Sequence, residues 1–257
     1  MLTLISFVIG SIVGSFYNVC IYRLPNDLDV VSKSSFCTSC KYKIPFYLNI
    51  PIISYILNFG KCKNCKNKIS ISYLVVEVLT ASLFVYAYML YGVSFKGLAF
   101  IIFYSGLLIM FFTDFKNYLI LDKITIPLSI VGLVFTFFNF NPFDVDILSS
   151  LIGGAVGYLV IYIIRFLFFK IRKVEGMGLG DAKLFLMIGI WLGIKSIYLI
   201  LASSALVGAI VGSLIIYFYK KDKDFIPSHI PIIKNNFASP RPIPSTFLIL
   251  KNKNLKM

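Results

Sequence analysis

Gly176-Met-Gly-Leu-Gly-Asp-Ala-Lys183 lies between two strongly apolar segments, roughly 147–169 and 182–194, and its reading decides the rest of the chain. An ionisable group at such a boundary is expensive unless it is solvated, paired or used, so Asp181 is a candidate functional residue. Glycines at alternate positions let a backbone approach a ligand or a partner helix, and take φ values that other residues avoid. The bland alternative is a helix–helix elbow whose Asp caps the next helix. A second carboxylate on the same side of the segments would favour function over elbow.

The 257 residues are 58% hydrophobic and only 14% charged, with a mean hydropathy of +0.87, a polytopic membrane composition. Seven apolar stretches are expected to be helices, near 2–22, 73–92, 97–113, 124–140, 147–169, 182–194 and 197–219. A hydrocarbon core of ~30 Å takes about 20 helical residues. The stretch 182–194 is short for that, so it tilts, borrows from its flanks or is re-entrant. Met1–Tyr22 lacks a basic leader and an A-x-A-like site, and reads as a retained membrane helix. The fold class is therefore all-α and polytopic, with about seven transmembrane helices. Its parts are a first transmembrane helix (1–22), a small polar module (23–72), a transmembrane core (73–219) and a basic tail (220–257).

With residues 23–72 placed in the cytoplasm, 23 of the 25 lysines and arginines fall on the cytoplasmic side, leaving Lys96 and Lys195 outside. The net charge of +14 is then an orientation signal facing an anionic bilayer leaflet, not a nucleic-acid footprint. The loop Thr113–Lys123 falls on the same side as Asp181 and carries Asp114 and Asp122. Two carboxylates brought together share one proton, because like charges a few ångströms apart resist double ionisation. One acts as base toward water and the other as acid toward a scissile carbonyl, the chemistry of an aspartic protease. Asp114 is the favoured partner, since it ends an apolar run and can point back into the bundle. Asp122 starts a helix, where N-capping and dipole neutralisation are its plainer roles. Glu77, one turn inside an apolar helix, either snorkels to the interface or has a function.

Cys37-x-x-Cys40 and Cys62-x-x-Cys65 are separated by 21 residues. Four thiolates at that kind of spacing make a closed tetrahedral zinc site, whose binding free energy would fold so small a module. Lysines just after each pair (Lys41 and Lys43, Lys66 and Lys68) can steady the bound thiolates. Redox pairs or disulfides are the alternatives, and cytoplasmic placement disfavours the latter. Cys20 reads as a small packing residue.

GMGLGDAKL, TDFKNYLILDKITIP, the cysteine module and the N-terminal GSFYNVCIYRLP together resemble the prepilin peptidases, also called type IV leader peptidases. The resemblance covers residues 1 to about 195. It implies a GxGD aspartic protease of the bacterial cytoplasmic membrane, with its active site facing the cytoplasm. Gly178, Gly180 and Lys183 frame the motif, and Asp181 and Asp114 are its catalytic carboxylates. Asp122 matches a later acid of the loop, with Leu121 in place of a usual proline. The implied substrates are membrane-inserted prepilins or pseudopilins, cut to release a short basic leader. Many members also methylate the new N-terminus with S-adenosylmethionine, an activity for which no residue is assigned here. After Pro240-Arg-Pro-Ile-Pro244 the family's eighth apolar helix is expected to be shortened or missing. Presenilin-like proteases share GxGD, but Thr113 stands where they carry a tyrosine, and their Pro-Ala-Leu turn is absent. A non-enzymatic scaffold or transporter with a zinc-ribbon loop is the remaining alternative.

Overall fold

A computed structural model describes residues 1–30, 35–37, 39–40, 42–45, 50–173 and 178–221. The apolar runs all form helices: α1 (Leu2–Arg23), α3 (Ser72–Tyr91), α4 (Phe95–Asn117), α5 (Asp122–Phe137), α6 (Ile147–Arg172), α7 (Leu179–Leu192) and α8 (Ile194–Lys221). A short α2 (Ile53–Leu57) inside the polar module escaped the sequence reading, having too few residues for a period to show. Among the described residues there is no β-strand, only two isolated antiparallel bridges. Five helices, α1, α3, α4, α6 and α8, are long and apolar enough to cross a bilayer, whereas α5 and α7 fall short at 16 and 14 residues. The chain divides at Leu201 into Met1–Leu201 and a second unit from Ala202, whose described part is the rest of α8. The expected eighth helix and nearly all of the basic tail lie outside the described residues.

Small residues set the helix pairing, as they do where lipid offers no hydrophobic drive between helices. Gly10 and Gly14 of α1 lie on Ala81 and Glu77 of α3; a Cβ at either glycine would come 2.8 Å from the opposing Cα. In the α6–α7 pair, a Cβ on Gly189 would meet the Gly153 carbonyl oxygen at 2.2 Å, so the backbones touch directly. Between α4, α5 and α7 the core is built on Trp191, Phe103, Met110, Leu128 and Met187. The Trp191 indole donates to the Leu128 carbonyl, and Asn141 donates to Thr136 Oγ1 and the Trp191 carbonyl. Lys96 pairs with Asp144 at one end of the bundle. At the other end Lys123 pairs with Asp27 (2.6 Å) and Lys183 with Asp122 (2.5 Å). The two sets of loops thus gather at opposite ends, as the alternation of helices requires.

Candidate active site and metal centre

Asp114 lies in the last turn of α4, which runs a turn further than the apolar pattern suggested. Tyr118 ends that helix in the left-handed region (φ 53°), its N–H donating to the Asp114 carbonyl. Asp181 lies in the first turn of α7, whose N-cap is Gly178. It is therefore not the capping residue of the elbow alternative; its carboxylate reaches back to the Gly178 N–H, the reciprocal half of a capping box. Burial pushes the Asp181 carboxyl above its ordinary range, and the negative charge of Asp114 pushes it further. The Gly178 amide opposes both. The two carboxylates are thus within electrostatic reach of one another.

Gly180 accounts for this approach. A Cβ there would lie 2.9 Å from Ile120 Cβ, so the α7 turn rests against the loop that follows Asp114. Ile120 is itself packed on the core. Gly178, by contrast, has an ordinary φ of −74° and open space around it. The expected need for unusual φ values at the motif fails there, and close packing at Gly180 replaces it; Gly176 lies outside the described residues.

The remaining acids separate by partner. Asp122 is corrected from N-cap to first-turn residue: Leu121 holds the cap position, and the Asp122 carboxylate is paired with Lys183. It still faces the positive end of the α5 dipole. Asp146 caps α6 by accepting from the Ser149 N–H, and Asp27 is held below the usual carboxylate range by Lys123. Glu77 does not snorkel. It is 8% exposed and accepts a 2.7 Å hydrogen bond from the Ile52 N–H, which ties α2 to α3.

The four paired cysteines converge, their sulfurs within 4.8 Å of one another. Cys37 and Cys65 are 3.9 Å apart and Cys40 and Cys62 4.0 Å. A tetrahedron with metal–sulfur bonds of ~2.3 Å has edges of about 3.8 Å, so this donor set fits zinc. Each pair sits on a small hairpin, and the hairpins repeat one another at an offset of 25 residues. Cys37 N–H bonds to the Tyr42 carbonyl as Cys62 N–H does to Asn67, and Ile44 to Ser35 as Ile69 to Gly60. The Cys40 amide, ahead of burial, brings the Cys37 thiol down to about 6. The Asn67 amide favours the Cys65 thiolate, but burial and the neighbouring sulfurs carry that thiol up to about 11. Such mutual repulsion is what a bound dication relieves. Backbone amides and Asn64 steady these sulfurs, while Lys43, Lys66 and Lys68 stand exposed. Cys20 is buried between α1, α3 and α4, away from the four, as its packing role requires.

A cavity of about 360 Å³, not evident in the sequence, opens between the cysteine hairpins and the α1–α3 pair. Its walls include Asn18, Tyr22, Phe36, Tyr73 and Glu77. Only Glu77, an acid in an apolar helix, gave a signal in advance. Lys116, two residues beyond Asp114, lies over the Tyr73 ring at 5.4 Å and brings the cavity wall next to the α4 terminus.

Residues 8–91 match the model of the bacterial peptidase A24 N-terminal domain, and residues 101–213 that of the type IV leader peptidase family. The chain is 36% identical over 214 residues to the prepilin leader peptidase/N-methyltransferase of Vibrio cholerae, covering 77% of this chain and 80% of the relative. Proteins of the same name match from Neisseria gonorrhoeae (32%; 79% and 78% covered) and Pseudomonas aeruginosa (33%; 81% and 79%). No solved structure matches significantly. Both halves of the described core thus carry the same assignment that the carboxylates and cysteines suggested, and the chain belongs to the type IV leader peptidase family.

Proposed function

We propose that this enzyme cleaves the basic leader from type IV prepilins or pseudopilins at the cytoplasmic face of the bacterial inner membrane, with Asp114 and Asp181 as catalytic carboxylates. The carrying observation is that Asp181, half-buried, sits where the Asp114 charge reaches it. One proton between them is the stable arrangement, and burial favours Asp181 as its holder. Asp114 then takes a proton from water as the water oxygen attacks the scissile carbonyl, while Asp181 gives its proton to the carbonyl oxygen. Collapse breaks the C–N bond as the proton on Asp114 passes to the leaving amine and a diol hydroxyl returns its proton to Asp181. The substrate's own apolar helix holds it in the bilayer, so its leader arrives where the charged loops of the bundle gather.

The relatives' names extend this reading to N-methylation of the new N-terminus with S-adenosylmethionine as methyl donor. Zinc bound by Cys37, Cys40, Cys62 and Cys65 supplies a structural cross-link between the two hairpins. The divisions at 22, 72 and 219 separate anchor, zinc module, protease core and tail in this scheme.

The test is cleavage of a prepilin-type substrate by purified protein beside Asp114→Asn, Asp181→Asn and Asp122→Asn. The first two lower kcat by about 10³-fold or more, because each removes half of an acid–base pair. Asp122→Asn, which loses only an exposed ion pair, stays within about tenfold. Full activity in Asp114→Asn with loss in Asp122→Asn would sink the pairing.

A further inference from the structure

The short helix α2 is built inside out. At helical spacing Ile53, Ile56 and Leu57 share one face, the two isoleucines more than half exposed and Leu57 72% exposed. Phe59, just beyond the helix, is 87% exposed. Ser54, Tyr55 and Asn58 turn the other way and line the cavity. The Tyr55 hydroxyl donates to the Ile69 carbonyl, and the Ser54 hydroxyl to the Ile50 carbonyl. A helix on a water-bathed surface turns its apolar stripe toward the protein. This one turns polar groups inward and large apolar side chains outward, which marks the face as a contact surface. Ile52 at φ 62° and Phe59 at φ 49° hold left-handed backbone on either side of it, costly for a β-branched and for a bulky residue. The fold thus spends strain to keep this apolar face outward.

Depth and charge say what the face meets. The Ile52 N–H, at the start of α2, donates to Glu77 at 2.7 Å, and Glu77 lies five residues into α3. With 20 residues α3 is just long enough to cross ~30 Å of hydrocarbon, so Ser72 falls at the edge of that layer. At about 1.5 Å per residue the Glu77 tether lies about 7.5 Å inside the edge. Helices that lie in a membrane interface bury their apolar face ~5–10 Å into the boundary of headgroups and acyl chains. Between Asp29 and Glu77, moreover, the sequence has seven lysines and no acid. Lys43, Lys61, Lys63, Lys66 and Lys68 are exposed, and among the described residues no carboxylate pairs with them. Clusters of about four to eight basic residues next to an apolar anchor bind anionic headgroups.

We propose that α2 is an interfacial anchor that docks the cysteine module on the bilayer leaflet beside it. Ile53, Ile56, Leu57 and Phe59 lie among the upper acyl chains, and the hairpin lysines lie on anionic phospholipid headgroups. The module is then held from two sides, by Glu77 of the bundle and by lipid, and the headgroup charge sets how firmly the second side holds.

The experiment uses the full chain, zinc-loaded, in nanodiscs of phosphatidylcholine alone or mixed with phosphatidylglycerol. Trp191 is the chain's one tryptophan and is buried, so Phe59→Trp adds a reporter read as the difference from the unmutated protein. The added emission should be blue-shifted, quenched by lipids brominated on the acyl chain and shielded from aqueous iodide. Emission like that of tryptophan in water, quenched by iodide and untouched by bromine, overturns the proposal. Hydrogen exchange across residues 53–59 should slow from neutral to anionic discs, by about fivefold for each lysine engaged. Lys61→Gln, Lys63→Gln, Lys66→Gln and Lys68→Gln combined should erase that difference. Exchange that ignores headgroup charge in the unmutated protein refutes docking on anionic lipid. Leu57→Asp combined with Phe59→Asp, at exposed positions, should speed the same exchange while zinc content stays normal; unchanged exchange contradicts an anchor. Shielding of the reporter that bromine does not reach, and that needs a second copy in the disc or added prepilin, would give the face to that protein and refute the proposal.

Discussion

The two motif glycines should behave differently on substitution by alanine. At Gly180 a new Cβ would come 2.9 Å from Ile120 Cβ. Carbon atoms rest at about 3.5–4.0 Å, so the α7 turn and the Asp114 loop must part by about 0.6–1.1 Å. Ile120 is backed by the core and cannot retreat freely. A misplacement of about 1 Å between reacting groups costs on the order of 10²-fold, so Gly180→Ala should lower kcat by about 10–100-fold. Overpacking should cost about 1–3 kcal/mol of stability besides. At Gly178 the nearest atom to a new Cβ is the Gly180 nitrogen at 3.8 Å, and φ is already one that alanine adopts. Gly178→Ala should keep most of its activity. The assay is single-turnover cleavage of a saturating prepilin substrate, with thermal unfolding of each variant run in parallel. Equal losses at the two positions, or an unimpaired Gly180→Ala, would refute the claim that packing on Ile120 sets the separation of the carboxylates.

Cleavage should fall as pH rises through the elevated Asp181 value, because the shared proton is then lost. The same elevation means that the folded state binds the proton more tightly than the unfolded one. Its stability contribution is therefore full below the ordinary carboxyl pKa and declines as pH climbs through the raised one. Asp181→Asn should accordingly unfold at a higher temperature than the unmutated enzyme near pH 7, with the gap closing in acid; a lower midpoint near pH 7 would contradict this. Removal of zinc by a chelator, or Cys62→Ser, should loosen the two cysteine hairpins in hydrogen exchange. Cleavage should persist, because α4, α5 and α7 position the carboxylates without the hairpins. Unchanged exchange after complete zinc loss would dispose of the structural role.

Long apolar runs made the helices legible, because in a bilayer a backbone must satisfy its own hydrogen bonds and composition alone marks the span. Asp181 and Asp114 were legible as charges at the ends of such runs. What sequence could not give was contact at long range. The Lys183–Asp122 pair joins residues 61 positions apart, and it turned an apparent helix cap into one side of a clamp. Gly178 and Gly180 look alike in a motif and differ only in what lies opposite them. The cavity escaped notice because its walls come from α1, α3 and both hairpins, none of which carries a cofactor pattern of its own.

The bundle is uneven in height. At 1.5 Å per residue, α6 is about 39 Å long, α5 about 24 Å and α7 about 21 Å, around a hydrocarbon layer of ~30 Å. Lipids beside α5, which exposes Ile126, Ile130, Val134 and Phe137, would thin to match its shorter apolar face, at fractions of a kcal/mol per ångström. The helix that carries Asp181 is enclosed by its neighbours from Asp181 to Leu192 and meets that mismatch only through them. Under the proposed function, the thickness of the surrounding membrane would reach the Asp181 turn through α5, whose Asp122 is paired with Lys183, and so become part of what tunes the enzyme.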